Sequence, residues 1–193
     1  MRKSLVALLI LLAPLTACRS GVVYPERMYE ESLAMTSEHD NMGGLRRDVR
    51  KSLDQRLETV MRWANEGMLE TESDLGWAAM TLTLSDREEH LETARKIAKA
   101  ASELGDPRGG IAYAHASDKL AFHRGEDLQP YGTNFAYLHV IGRYDIQPPV
   151  DPRTSDLERR AMGVPSLAEL QAMVKEINAA AETTRLREDI MRH

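Results

Sequence analysis

The feature that most restricts the fold of this chain is an apolar stripe at helical spacing between residues 45 and 68. Its members recur every three or four positions, with arginine, aspartate, glutamate and lysine between them. This spacing puts them on one face, because an α-helix turns once in about 3.6 residues. The stripe comprises Leu45, Val49, Leu53, Leu57, Val60, Met61, Ala64 and Met68. Such a face needs other elements to pack against, so the stripe predicts a helical domain.

Further helices are predicted after this stripe. Residues 73–84 could form a helix or a strand, and their length and alanine content favour a helix. Residues 85–88 and 166–169 both have the Ser-x-x-Glu form of a capping box, which predicts a helix start at each place. Asp106 and Pro107 are typical of the N-cap and first residue of another helix.

The segment 127–165 has a different character. It contains five prolines and no clean period, although residues 137–141 could form a short strand. Six of the ten aromatic residues fall within residues 113–144, where the helices are expected to meet this loop. A structureless stretch of about 40 residues is unusual in a compact domain, and its apolar content favours an ordered loop.

We therefore predict a mainly α fold, with a single helical domain of about five helices over residues 45–182. The long ordered loop precedes the last helix of this domain. Residues 183–193 are predicted to be a charged C-terminal tail.

Composition narrows the classes of function. The single cysteine excludes an internal disulfide framework and a zinc site built on several thiolates. The six histidines show no metal-ligand spacing, so neither a metal nor another cofactor is expected. A formal net charge of −5 argues against a dedicated nucleic-acid binder, whose domains usually carry a basic excess.

The N-terminus has the pattern of an export signal. Arg2 and Lys3 precede an unbroken apolar run over residues 5–12. This run is too short for a spanning helix, which needs about 20 residues. The sequence Leu-Thr-Ala-Cys, ending at Cys18, resembles the lipobox of bacterial lipoproteins. The resemblance implies that residues 1–17 are a lipoprotein signal peptide and that Cys18 becomes a lipidated N-terminus.

The same resemblance implies a location in the cell envelope. Arg19, rather than aspartate, follows the cysteine, and by the usual sorting pattern this favours the periplasmic face of the outer membrane in a diderm host. Residues 18–44 are then a lipidated N-terminus and tether, in which Pro25 could begin a short helix through Met35. An ordinary cleaved signal peptide and an uncleaved membrane helix are the alternatives.

A second resemblance concerns residues 129–134. Their sequence, Gln-Pro-Tyr-Gly-Thr-Asn, resembles the Gln-x-Tyr-Gly-Thr-Gln/Asn motif of an uncharacterised bacterial family. The resemblance extends to Asp118, Lys119, Pro148, Asp151, Arg159, Arg160, Gly163, Pro165 and Leu167. Members usually carry a histidine in an earlier helix, where this chain has Leu84-Ser85-Asp86 without one. Because the family has no assigned activity, the resemblance implies a fold and a candidate site but no reaction.

Two interpretations of this motif are open. Its amides, hydroxyl groups and phenol could recognise a polar ligand, with an arginine as a planar fork for a carboxylate or phosphate. The same groups could instead hold the loop to the helices by bonding buried backbone atoms. The candidate ligand-binding residues are Gln129, Tyr131, Gly132, Thr133, Asn134, Arg159 and Arg160.

His115 and Asp118 form a weaker candidate site. They lie three positions apart on a predicted helix, close enough to pair as a general base. Thr133 is the one nearby hydroxyl that could act as a nucleophile. A partly buried histidine satisfied by a neighbouring acid, with no catalytic role, is the other interpretation.

The sequence thus predicts a membrane-anchored cell-envelope lipoprotein whose domain is a binding or interaction module. Its expected partners are the membrane, through the N-terminal lipid, and an envelope protein or a small polar ligand, but no nucleic acid. The alternative is an envelope enzyme of unknown reaction that uses His115, Asp118 and the turn at residues 129–134. No catalytic residue is firmly assigned.

Overall fold

The structure is a computed structural model that describes residues 25–37, 47–138 and 140–191. Across these ranges the chain forms seven helices and one two-stranded sheet, which confirms the predicted mainly α fold. The helices are α1 (Pro25–Ser37), α2 (Arg47–Asn65), α3 (Glu72–Leu82), α4 (Glu88–Glu103), α5 (Pro107–His123), α6 (Asp156–Ala161) and α7 (Leu167–Met191). The strands are β1 (Phe135–Leu138) and β2 (Arg143–Ile146). Cys18 and Leu45 lie outside the described residues.

The stripe predicted on α2 forms part of the main hydrophobic core. Within the described part of the stripe, the residues buried there are Val49, Leu53, Leu57, Val60 and Met61. All but Val49 belong to a cluster that takes in residues of α3 and α4, among them Ala78, Leu82 and Ala94. Helices α4 and α5 pack through small residues, and a Cβ at Gly109 would overlap the backbone nitrogen of Ser102. The close approach of these two helices therefore depends on the absence of a side chain there.

Helix α1 also belongs to this core. The side chain of Met28 is only 6% exposed and packs in the same cluster as Trp63. The ring of Tyr29 lies 5.3 Å from that of Trp77, between centroids. Helix α1, which the sequence analysis assigned to the tether, therefore packs against α2 and α3 through Met28 and Tyr29.

The helix starts agree with the predictions at two of three places. Asp106 caps α5 by accepting a hydrogen bond from the backbone N–H of Arg108, and Ser166 forms its capping box with Glu169. The predicted box at residues 85–88 is wrong, since α4 begins only at Glu88. The hydroxyl of Ser85 is 2.8 Å from Nδ1 of the buried His90 instead.

The predicted long loop is ordered but contains more regular structure than expected. Strands β1 and β2 form an antiparallel hairpin in which Phe135 pairs with Ile146. Helix α6 follows the hairpin and begins with a capping box formed by Ser155 and Glu158. Helices α1 and α6 account for the two helices beyond the five predicted in the domain.

The last helix holds the hairpin in place. The amide of Asn178 accepts a hydrogen bond from the backbone N–H of Tyr144 at 2.7 Å and donates one to its carbonyl at 2.9 Å. A second apolar cluster joins α5, β2 and α7 and includes Ala114, Ile146 and Leu170. Since α7 continues to Met191, the predicted tail from residue 183 is helical as far as that residue.

Candidate functional site

The candidate site is built around Asp118, a fully buried residue of α5. Its carboxylate accepts three hydrogen bonds from the turn that follows the helix. The N–H of Tyr131 donates to Oδ1, and the N–H and hydroxyl of Thr133 donate to Oδ2, each at 2.7 Å. Burial raises the pKa of Asp118, and the hydrogen bonds from the turn oppose that rise. The carboxylate therefore fixes the turn to α5.

Gln129 and Asn134 hold the base of the same turn. The buried amide of Gln129 donates to the carbonyl of Asn134 at 3.0 Å and to that of Pro148 at 2.6 Å. It also accepts from the N–H of Asn134 at 3.0 Å. The amide of Asn134 donates to the carbonyl of Gln147 at 2.7 Å. Both amides are thus engaged by backbone groups of the loop.

Gly132 allows the turn to pack directly against its surroundings. Its φ of +84° lies in the left-handed region, which residues other than glycine adopt only with strain. A Cβ at this position would stand 2.7 Å from Cγ2 of Val150 and 3.3 Å from Cδ1 of Leu170. Both the backbone conformation and the space available therefore require glycine.

The two candidate arginines differ in position, as expected for neighbours on a helix. Arg159 is 3% exposed, and it donates from Nε to the carbonyl of Tyr131 at 3.3 Å and from Nη1 to Asp156 at 3.2 Å. The same Asp156 oxygen accepts from the N–H of Leu167 at 2.9 Å. Arg160 is exposed. Arg159 therefore joins the turn to α6, and its charge is already paired with a carboxylate.

These contacts favour the loop-holding interpretation for most of the motif. They satisfy the side chains of Gln129 and Asn134 and tie Thr133 and Arg159 to other parts of the chain. Such hydrogen bonds are what buried polar groups in folded proteins require. The motif thus explains why a proline-rich loop is ordered.

The expected pairing of His115 with Asp118 does not form. Both carboxylate oxygens of Asp118 are taken by the turn, and no residue in the described ranges hydrogen-bonds to the imidazole of His115. Burial, assisted by the charge of Lys119, lowers the pKa of His115. The structure instead brings His115 and Thr133 together in the lining of a pocket of about 140 Å³, the His115–Thr133 pocket.

Tyr131 has a different environment from the rest of the motif. Its ring meets that of Tyr113 edge-on, with centroids 6.3 Å apart and an interplanar angle of 76°. The two rings and Met162 line a surface groove of about 290 Å³, the Tyr113–Tyr131 groove, which is also bordered by Lys99 and Glu103. Burial raises the pKa of Tyr131, so its phenol is protonated at neutral pH and can donate a hydrogen bond.

Tyr113 and Met162 are site residues that the sequence motif did not indicate. In the sequence, only the concentration of aromatic residues in 113–144 points to Tyr113. Met162 directly follows α6, and only the folding of the loop brings it to the groove. No comparable local pattern marked it.

Comparison with known proteins provides no relative: no family model matches the chain, and no curated protein or solved structure matches it. None of the helices in the described ranges combines the length and the apolar character needed to span a bilayer. Nor do those ranges contain a group of three or more histidine, cysteine or acidic side chains placed to hold a metal ion. The described part of the chain is thus a mainly α domain with a groove and a pocket beside one loop motif.

Proposed function

We propose that this protein is a lipid-anchored lipoprotein of the bacterial cell envelope and that its helical domain is a binding module. The contact surface is the Tyr113–Tyr131 groove. One observation carries the choice of surface: the amides of Gln129 and Asn134 bond within the loop, whereas the ring of Tyr131 faces the groove. The motif serves as a rigid support that presents this tyrosine.

The chemistry of the groove suits a segment of another envelope protein. Tyrosine offers a large apolar ring with a polar tip and few rotatable bonds, which makes it common at the energetic centres of interfaces. Methionine adapts its shape to different apolar partners. On the rim, Lys99 and Glu103 form an exposed ion pair at 3.8 Å, so the groove presents no net charge to a small anion. These features favour a peptide segment over a small anion.

The Leu-Thr-Ala-Cys sequence supports the anchor. Lipid chains hold a protein by burying methylene groups, each worth about 0.8 kcal/mol, and two or more chains make release slow. Arg19 after the cysteine supports sorting to the outer membrane in a diderm host. Between Cys18 and the first residue of α1, Pro25, an extended chain spans at most about 25 Å. The domain would then stay close to the membrane surface.

The groove is tested by site-specific photo-crosslinking in cells. A benzophenone amino acid at position 131 should crosslink to a discrete envelope protein. The same group at Phe122, which is 53% exposed on α5 and does not line the groove, is the matched control. Tyr131→Ala should weaken capture of the crosslinked protein by about tenfold, and because the ring also packs against the second apolar cluster, circular dichroism must show that the variant is folded. Identical crosslinks from positions 131 and 122 would contradict the proposal.

The anchor has its own test. Cells fed labelled palmitate should incorporate label into the wild-type protein and none into Cys18→Ser, which should accumulate unprocessed. Labelling of the serine variant would refute lipidation at Cys18. This outcome is independent of the crosslinking result, so the two parts of the proposal can fail separately.

The alternative, an envelope enzyme that uses His115, Asp118 and the turn, has weaker support. A general base needs a lone pair directed at the proton it removes. The lone pairs of Asp118 that face the turn are occupied by Tyr131 and Thr133. Of the proposed catalytic set, only His115 and Thr133 line the same pocket.

A further inference from the structure

The His115–Thr133 pocket shares no lining residue with the Tyr113–Tyr131 groove. It lies between α5, the turn, the start of β1 and α7. Its walls are mainly apolar and include Ile111, Phe135, Leu170 and Met173. A cavity of about 150 Å³ lined by such residues holds one benzene ring, so a pocket of about 140 Å³ has room for a single six-membered ring.

Two polar side chains, His115 and Thr133, complete the lining. The hydroxyl of Thr133 donates its proton to Asp118 at 2.7 Å, so it has only lone pairs left to offer a ligand. The imidazole of His115 has no hydrogen-bond partner within the described part of the chain. Its pKa is lowered by burial, and in the neutral form one ring nitrogen donates while the other accepts. The side chain is partly exposed at the pocket, so a ligand there would replace water with its own hydrogen bond to the imidazole.

We propose that this pocket binds a small neutral molecule of the phenol class, with one hydroxyl group on a six-membered ring. The apolar walls take the ring. The hydroxyl group donates to Thr133 or to the acceptor nitrogen of His115, and it can accept from the donor nitrogen of an imidazole in the other tautomer. The described lining residues include no carboxylate, guanidinium or ammonium group, so a charged ring would lose its hydration without direct contact with a counter-charge. The proposal depends on neither the groove nor the lipid anchor.

The test uses the full-length chain in detergent and fluorine NMR with three single-ring probes: 4-fluorophenol, the equally large 4-fluorotoluene, and the charged 4-fluorobenzoate. The wild type should bind 4-fluorophenol about tenfold more tightly than 4-fluorotoluene, as expected for one added hydrogen bond. His115→Leu should retain ring binding and lose this preference. Met173→Trp, which places a larger side chain at an exposed position of the rim, should block both probes. His123→Leu, an exposed histidine of the same helix, is the control and should behave as the wild type.

Several results would overturn the proposal. One is the absence of saturable binding of 4-fluorophenol to the wild type at about millimolar concentration, the range in which fragments of this size bind. Others are an unchanged preference in His115→Leu, or unchanged binding in Met173→Trp, which would place the site elsewhere. Binding of 4-fluorobenzoate as tight as that of 4-fluorophenol would rule out a neutral ligand. Circular dichroism of each variant distinguishes loss of binding from loss of the fold.

Discussion

At the scale of single residues, the turn after α5 depends on the carboxylate of Asp118 and on Gly132. Asp118 supplies both carboxylate oxygens to two backbone N–H groups and one hydroxyl. Hydrogen bonds to a charged acceptor contribute more than neutral ones, about 1.5–3 kcal/mol each. The hydrogen bonds to Asp118 therefore hold Tyr131 at the groove, although Asp118 itself does not line the groove.

Gly132→Ala should destabilise the protein by more than the cost of placing alanine at a positive φ. The φ of +84° costs an alanine about 1 kcal/mol, and the contact at 2.7 Å with Val150 adds to this. Gly125→Ala is the matched control, because Gly125 has a φ of +66° and a Cβ added there would have no heavy atom within 4 Å. Urea unfolding should show the larger loss for Gly132→Ala, by about 1–2 kcal/mol.

A Val150→Ala change in the Gly132→Ala background checks the cause. If the contact is responsible, the second substitution should cost less in this background than in the wild type, as a double-mutant cycle measures. Equal losses for Gly132→Ala and Gly125→Ala would mean that the turn moves freely enough to accommodate the methyl group.

At the scale of secondary-structure elements, a buried histidine lies between α2 and α4. His90 is 1% exposed, with Nδ1 at 2.8 Å from the hydroxyl of Ser85 and Nε2 at 3.6 Å from Glu58. Arg87 pairs with the same Glu58. Burial lowers the pKa of His90, and the positive charge of Arg87 lowers it further. The negative charge of Glu58 acts in the opposite direction. The imidazole is thus buried beside α2, with a hydrogen bond to Ser85 at Nδ1 and none at Nε2.

This arrangement predicts a pH dependence of stability. The lowered pKa means that, below the ordinary value of about 6.5, the unfolded chain binds a proton that the folded chain does not. The free energy of unfolding should therefore decrease as the pH falls from about 6.5 toward the lowered pKa of the folded state. His115 acts in the same direction. The stabilising contribution is complete above about pH 6.5.

The measurement is urea unfolding at about pH 7.5 and about pH 5.5 for the wild type, His90→Gln and His123→Gln. His90→Gln should show a smaller decrease between the two pH values than the wild type, whatever its stability at the higher pH. The exposed His123 provides the control for replacing a histidine with glutamine. A decrease in His90→Gln equal to that of the wild type would show that another group causes the pH dependence.

The elements that the sequence predicted are those whose causes are local. The apolar stripe lies within α2, and the Asp106 cap directly precedes α5, so each signal is next to the helix that it predicts. The hairpin and the burial of α1 depend on distant partners, such as Asn178, which bonds to Tyr144 34 positions away. The same distinction holds in the site. The turn could be predicted from its glycine, but the assignment of Asp118 to the turn rather than to a histidine could not.

At the scale of the whole molecule, α1 determines how much of the chain belongs to the domain. Its inner face carries Met28 and Ser32, both buried. Its outer side includes Glu31, which pairs with Arg56 of α2 at 2.6 Å. With α1 packed in this way, any anchor at Cys18 is joined to the core by a short segment rather than by a long flexible tether. The orientation of the groove relative to a membrane would then be restricted.

The packing of α1 can be tested by comparing two apolar residues on the same helix. Met28→Ala should lower the free energy of unfolding by about 2–4 kcal/mol, because it removes a side chain that is 6% exposed in the core. Leu33→Ala should change it by less than about 1 kcal/mol, since Leu33 is 45% exposed. Urea unfolding followed by tryptophan fluorescence is suited to this test, because Trp63 packs in the same cluster as Met28. Similar small losses for both variants would indicate that α1 does not pack in the core, whereas the expected difference would make it part of the folding unit.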